Sequence, residues 1–457
     1  MTTPPVININ NMGDKDSATK LAPDSMYRTQ EGLGVWEHRG KVVIAGLGVS
    51  PTARRWDETP ETSVGAWSIL AIQRALEDVG ISASEVDGLV MTRETATGSP
   101  WPVGDPIPES FLNTFKPGVN ALDGITGMST EFILANMPEM NNVKFSMYGP
   151  TCISRSLVTA AQAVGDGLTD VCVVLRGWHN LKGRYYVGQG PDRIGGTISG
   201  PGKWNTGWGT VACYETAMNF EAYCRKYGKT HDMHAPFVTN ERRNGLLFPE
   251  GFWAQHRPES LTAEDYITAR WIAKPANLFD NDIPICVSAA FIFTTPERAK
   301  DMKQKPVYIL NHTDSSARPR GTVAVLDEYE ANTDAMGRKT YEGAGITARD
   351  VSFENLYDGF ALFHTFHIEG LRFGGIQRGE ALDFYQGDIS IEGPNPVSPS
   401  GGNVGSGRSR FWNHVDTVQQ LQGRAGARQI RIPAEIGVTG TMTPMSIETL
   451  VMSATPD

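Results

Sequence analysis

Short apolar runs alternate with amphipathic stretches along most of the chain. Residues 41–50 (KVVIAGLGVS) form a β-branched apolar run that reads as a buried strand. Residues 63–80 carry Val64, Trp67, Ile69, Leu70, Ala75 and Leu76 at helical spacing and close on Gly80. Residues 86–91 predict a second strand, and 143–147 a short third one. Residues 154–167 predict a helix ending in glycine, and 170–175 a further buried strand. The proline- and glycine-rich residues 95–125 interrupt this order as an irregular excursion. A β/α alternation of this kind predicts a mixed or parallel sheet with helices on its faces.

From 177 to 284 the periodicity breaks. Trp178, Tyr185, Tyr186, Trp204 and Trp208 make this stretch aromatic, and helical pieces are expected at 216–227 and around 263–271. It is too long for a loop and reads as an inserted loop domain. Strand pattern returns at 286–295, and Pro296 opens a helical turn.

The second half then repeats the first. After a strand at 307–310, residues 345–352 (GITARDVS) echo 80–87 (GISASEVD), and 426–430 echo 167–171. Both pairs are offset by about 260 residues, as an internal duplication requires. The expected organisation is an arm at 1–40, a first half at 41–295 containing the loop domain 177–284, and a second half at 296–457.

The 457 residues suffice for two packed units with a large core. A net charge of −10 argues against nonspecific binding to nucleic acid or anionic membrane. No apolar run has the length of a membrane span, and the first residues lack a secretory pattern. The five cysteines include no CxxC pair, so the expected setting is a reducing cytoplasm, without a disulfide frame or zinc ribbon.

Candidate chemistry gathers in residues 392–408, where three prolines and five glycines precede the helical pattern of Phe411, Val415, Val418 and Leu421. Such a stretch is either a surface loop or a turn that brings backbone donors up to an anion or oxyanion. His231 and His234 have metal-ligand residue types but lack further partners at a typical spacing, so a turn and no metal are expected. His364 and His367 share a helical face and read as packing or surface residues. Gly188, Gly190, Gly195 and Gly196 do not join a strand to a helix, which excludes a dinucleotide fingerprint.

The duplication, the T-C-x-S run at 151–154, Tyr357-Asp358-Gly359-Phe360, the S-G-G-x-x-x-x-G run at 400–407 and Gln420-Leu421-Gln422-Gly423 occur in an order that resembles the thiolase superfamily. The likeness extends from residue 41 to 452. It is similar above all to the branch of lipid-transfer proteins and sterol-carrier thiolases, which includes aldolases that shorten steroid side chains. The resemblance implies an α/β fold: a duplicated thiolase-like arrangement, two β/α halves forming a layered αβαβα core with an inserted loop domain. It makes Cys152 the candidate nucleophile, although counting back from Gly167 puts the family's cysteine position near Pro150.

Three departures impair thiolase chemistry. Tyr357 stands where sterol-carrier thiolases have histidine, Gly359 where they have the acid/base cysteine, and Arg408 where they have histidine. Retro-aldol cleavage needs no acyl-enzyme, and Tyr357 matches the tyrosine of the related aldolases. Arg408 departs from the tyrosine or histidine of those aldolases and is expected either to be the cation that lets Tyr357, a phenol of ordinary pKa about 10, act as a base, or to hold an enolate or phosphate oxygen. Asp358 is expected to orient backbone or Arg408, the turn residues Gly401, Gly402, Asn403 and Ser406 to contact substrate, and His414 to line the site.

The function implied is a carbon–carbon lyase acting on a β-hydroxyacyl-coenzyme A of a steroid or another bulky chain. The alternatives are an acyltransferase or thiolase using Cys152, and a non-catalytic subunit. Coenzyme A enters as part of the substrate, with no tightly bound cofactor. The resemblance further implies a homodimer through the thiolase core and a small OB-fold, zinc-ribbon partner.

Overall fold

The computed structural model describes residues 34–57, 59–92, 124, 128–150, 152–179, 212–316, 324–440 and 443–457. Most of the arm and of the 95–125 excursion, Thr151, Tyr185, Tyr186, Trp204, Trp208 and the four glycines between 188 and 196 lie outside the described residues.

The first half runs β1 (Val43–Val49), α1 (Val64–Val79), β2 (Gly88–Met91), α2 (Thr130–Asn136), β3 (Phe145–Tyr148), α3 (Ile153–Gly165) and β4 (Val171–Trp178). Helix α1 obeys its sequence signals: the Ser63 side chain accepts from the Ala66 amide at 3.2 Å, and Gly80 ends the helix in the left-handed region. The inserted segment contributes α4 (Ala212–Tyr227), α5 (Ala235–Leu246), α6 (Phe252–His256), α7 (Ala263–Ile267) and the small hairpin β5 (Trp271–Ala273) and β6 (Ala276–Asn277) before β7 (Val287–Thr294). The second half runs β8 (Val307–Ser316), α8 (Leu326–Ala344), β9 (Phe353–Leu356), α9 (Leu362–Leu371), α10 (Gly402–Ser406), α11 (Trp412–Leu421), β10 (Ile436–Gly440) and β11 (Ser446–Ser453).

Nine strands form one mixed sheet in the order β3-β2-β4-β7-β1-β8-β11-β10-β9. Its centre is the antiparallel seam between β1 and β8, with Val43 opposite Tyr308 and Ile44 opposite Val307. Outward from that seam the two sides repeat. On one side β1–β7 and β7–β4 are antiparallel, then β4–β2 and β2–β3 are parallel. On the other, β8–β11 and β11–β10 are antiparallel and β10–β9 is parallel, followed by a parallel bridge from Glu354 to Val397. Identical order and polarity on both sides give the duplication a topological form, and make α3 and α11 counterparts.

Strand alternation sorts side chains into layers. On β7, Val287, Ala289, Phe291 and Phe293 face a middle core, while Ala290 and Ile292 face α1 and α2. The middle core joins Leu157, Val158 and Ala161 of α3 to Trp412, Val415 and Val418 of α11. A third core, with Tyr329, Met336, Phe363 and Phe366, packs α8 and α9 on the far side. The result is a layered αβαβα core. Two helices of the inserted segment, α5 and α6, and the whole of α8 have no counterpart in the periodicity reading. Helix α5 is polar, α6 is only five residues long, and α8 sets Glu330 among small and apolar residues on its buried side. Among the described residues no helix is long and apolar enough to cross a membrane.

Candidate active site

Three chain segments are zipped together at the end of β9. The Tyr357 amide donates to Gly440 O at 2.8 Å, which carries the β9–β10 pairing one residue further. Phe360 then bridges Asn281, and the Asp282 amide donates to Gly359 O at 3.4 Å. On the other flank of this 281–284 segment, Arg408 bridges Pro284, and its amide donates to Ile283 O at 2.8 Å. Backbone pairing thus brings Tyr357, Asp282 and Arg408 to one place from three distant parts of the sequence.

From Pro396 onward the glycine-rich stretch is almost wholly buried, not a surface loop. Its middle is the five-residue helix α10, an element its composition does not predict. Asp358 clamps the start of that helix: Oδ1 accepts from the Asn403 amide at 2.7 Å and from Asn403 Nδ2 at 2.9 Å, and Oδ2 accepts from the Val404 amide at 2.7 Å. The Gly402 amide donates to Ser400 Oγ at 2.9 Å, and Ser406 Oγ donates to Ser400 O at 2.8 Å. The turn does hold an anion, but the anion is Asp358. Gly401, Gly402, Asn403 and Ser406, expected to contact substrate, all make internal bonds here.

Beneath the turn lies α5. A Cβ on Gly245 would stand 1.8 Å from Gly405 O, so α5 and α10 meet backbone to backbone. Glu241 of α5 is fully buried beside Asp358. Burial, reinforced by that neighbouring carboxylate, raises its pKa well above the ordinary range. Asn403 carries the order onward: its Oδ1 accepts from the Ser409 amide at 3.1 Å and from the Arg410 amide at 2.7 Å, and Arg410 adopts a left-handed φ of 64°.

Trp178, at the end of β4, is the hub of the charged cluster. The guanidinium carbons of Arg408, Arg410 and Arg176 lie 4.8, 5.1 and 5.1 Å from the centre of its ring. Arg408 Nε lies 3.9 Å from Asp282 Oδ2. Burial lifts the Asp282 carboxyl to about 7, with Arg408 opposing the rise. Burial likewise lifts the Tyr357 phenol above its ordinary value, although Arg410 and Arg408 both pull it down. At neutral pH Tyr357 is therefore a proton donor. Gly359 makes room for it: a Cβ there would lie 2.0 Å from the Tyr357 hydroxyl.

Cys152 caps the start of α3, where burial pushes its thiol up to about 12, the reverse of what a nucleophile needs. His414, expected to line the site, lies in the interior. It is buried between Ser154 Oγ at 2.9 Å and Thr439 Oγ1 at 3.2 Å, and burial next to Arg176 takes its pKa down to about 3. Arg176 acts electrostatically on both Cys152 and His414, which ties them to the Trp178 cluster. His231 and Tyr266 both bond the buried Asp280, at 2.8 and 2.6 Å, and no group of potential metal ligands occurs among the described residues. His364 and His367 are both fully buried, and His364 bonds the Tyr385 hydroxyl at 2.8 Å and Glu354 Oε1 at 3.1 Å.

Sequence reasoning missed Asp282, Arg176 and Arg410. The only sequence hints were the polar Asp280-Asn281-Asp282 run directly before a buried strand and the second arginine of Arg408-Ser409-Arg410. A cavity of about 730 Å³ opens beside the cluster, with Arg54, Arg242, Arg257 and Arg270 on its walls, and Asp282 is the residue it shares with the cluster. The Arg242 guanidinium lies 3.5 Å from the Trp253 ring centre and Nη1 of Arg242 donates to Glu259 O at 3.1 Å, which fixes one wall.

Residues 324–452 match a family model described as thiolase C-terminal domain-like. The 17-hydroxy-3-oxo-4-pregnene-20-carboxyl-CoA lyase of Mycobacterium tuberculosis is 26% identical over 420 residues, covering 87% of this chain and 97% of the relative. The steroid side-chain-cleaving aldolase of Thermomonospora curvata is 25% identical over 420 residues, covering 89% and 97%. Among solved structures, the Ltp2-ChsH2(DUF35) aldolase superposes with a TM-score of 0.71 at 21% identity, over 91% of this chain and 98% of that one. The dimeric peroxisomal thiolase of Saccharomyces cerevisiae superposes with a TM-score of 0.61 at 10% identity, over 91% and 97%.

Proposed function

We propose, on the premise that the chain belongs to the thiolase superfamily, that it is a carbon–carbon lyase performing retro-aldol cleavage of a β-hydroxyacyl-coenzyme A. The observation that carries this reading is the backbone-zipped convergence of Tyr357 and Arg408 beside Asp282. The reaction breaks the bond between the α- and β-carbons. The β-hydroxyl loses its proton and becomes a ketone, and the electron pair passes to the thioester enolate, which is then protonated. A phenol held protonated by burial is suited to give that proton, and a guanidinium to hold the enolate oxygen. None of this requires an acyl-enzyme, consistent with the high thiol pKa of Cys152. The names of both curated relatives favour a steroid side chain as the acyl group.

Four arginines, set beside Glu259 and Asp265, give the cavity charge suited to the phosphates of coenzyme A, and its volume is within the usual range for small-molecule sites. Coenzyme A is then part of the substrate and no tightly held cofactor is needed. The name of one structural neighbour joins two components, which supports a partner subunit here too. We extend this to a small OB-fold, zinc-ribbon protein acting in trans, on a homodimer formed through the thiolase core.

The test is incubation with 17-hydroxy-3-oxo-4-pregnene-20-carboxyl-CoA, followed by mass spectrometry of the ketone and the shorter acyl-CoA. Replacing Tyr357 by Phe in a folded protein should slow cleavage by about 10²–10⁴-fold. Full activity in Tyr357→Phe would remove the tyrosine from the mechanism.

A further inference from the structure

We infer that Asp282 is the catalytic base of this site: its carboxylate takes the proton of the substrate β-hydroxyl, while Tyr357 supplies the proton that quenches the enolate. The inference rests on the lyase reading and assigns a part that neither Tyr357 nor Arg408 fills.

Position is the first argument. Asp282 lies between the cavity and the charged cluster, lining the one and standing 3.9 Å from Arg408 Nε in the other. Its backbone is fixed on two sides, by the Gly359 carbonyl and by the strand-like pairing of Ile283 and Pro284 with Arg408. A base must be held within hydrogen-bond reach of the proton that it takes, and rigid backbone on both flanks holds it there.

The second argument is a division of labour. The groups acting on Asp282 are Arg408 and Arg410 from the turn after α10 and Asp358 from the turn after β9, which also holds Tyr357. Burial raises both acids, but from different starting points. The carboxyl rises to about 7, where it is part ionised and basic near neutrality. The phenol rises from an ordinary value that is already high, so it stays protonated. Two neighbouring acids separated in this way have the protonation states of a base and an acid. Cys152, with its thiol at about 12, and His414, held neutral by burial beside Arg176 and bonded to Ser154 and Thr439, are unsuited to the role.

The proton balance closes. Asp282 gains the hydroxyl proton as the carbon–carbon bond breaks. Tyr357 loses its proton to the α-carbon of the enolate, whose oxygen Arg408 holds. The Asp282 proton then returns to the Tyr357 phenolate, and both groups regain their starting states without a co-reactant.

The experiment is a pH profile of kcat/KM for the wild type, Asp282→Asn and Asp282→Ala, on the full chain and together with its partner subunit if cleavage needs one. The wild type should show an acid limb centred at about 7. Asp282→Asn should lose about 10²–10⁴-fold in kcat/KM, along with that limb. Formate should restore part of the activity of Asp282→Ala, which a purely structural residue would not permit. A wild type that cleaves with no acid limb near neutrality overturns the assignment, even if neither variant folds. So does an Asp282→Asn protein that keeps the wild-type rate or the limb, or a folded Asp282→Ala that formate does not rescue. A wild type that cleaves no β-hydroxyacyl-coenzyme A overturns the lyase reading itself, and the base assignment with it.

Discussion

Gly359→Ala isolates the geometry of the phenol. The added methyl would stand 2.0 Å from the Tyr357 hydroxyl and 2.3 Å from Cζ, whereas ordinary contact begins at 3.4 Å. The ring must retreat by about 1.4 Å, in a place where Tyr357 is already buried. Overpacking of this kind costs about 1–3 kcal/mol, and a reacting group displaced by about 1 Å costs on the order of 10²-fold in rate. Gly359→Ala should therefore lower the free energy of unfolding, read from urea denaturation, by that margin and reduce kcat/KM about 10²-fold, with kcat carrying most of the loss. Making the same change in a Tyr357→Ala background removes the clashing ring. The glycine substitution should then cost almost nothing in stability, and the double-mutant cycle should return a coupling as large as the single penalty. An equal penalty in both backgrounds, or a folded Gly359→Ala with wild-type turnover, would refute the argument that this glycine exists to seat the phenol.

Other expectations concern the surrounding scaffold. Asp358→Asn turns an acceptor for the α10 amides into a group with one donor face, and should cost roughly 1.5–3 kcal/mol by chemical denaturation; an unchanged midpoint would show that the clamp is dispensable. Native Cys152 should resist iodoacetamide at neutral pH and form no adduct with acyl-CoA in intact-protein mass spectrometry, because burial pushes its thiol up to about 12; stoichiometric labelling before unfolding would contradict this. His414 is held neutral in the fold, with its pKa lowered from 6.5 to about 3. As pH falls below the ordinary value, the unfolded chain takes up a proton that the folded chain refuses. Stability present above pH 6.5 should then decline by roughly 1.4 kcal/mol per pH unit until about 3, and unfolding curves of His414→Gln should show a shallower acid loss. A parallel decline in that variant would rule His414 out as a source.

Local signals and global ones were legible to different degrees. The Ser63 cap and the Gly80 stop of α1 act within a few residues, and the helix forms between them. The repeated segments after Gly80 and Gly345 lie ahead of β2 and β9, which occupy matching places in the sheet. The glycine-rich stretch shows the limit of composition. Glycine reports that something comes close, but not what: here it is α5 and the Asp358 carboxylate, both more than forty residues away in sequence. Asp282 lacked any motif, because its importance arises from a carbonyl at 359 and a guanidinium at 408 that only folding brings near it. Of the expected site residues, Tyr357 and Arg408 meet in one cluster, whereas His414 and the turn residues are committed to internal bonds.

The middle core has a consequence for how the molecule comes into being. Leu157 and Val174 share one buried cluster with Trp412 and Val418, which the ribosome adds hundreds of residues later. Neither repeat can exclude water from its inner face alone, so assembly must wait for almost the whole chain. The nascent first repeat is thus the species most exposed to aggregation, and two separately produced repeats should become soluble only when made together.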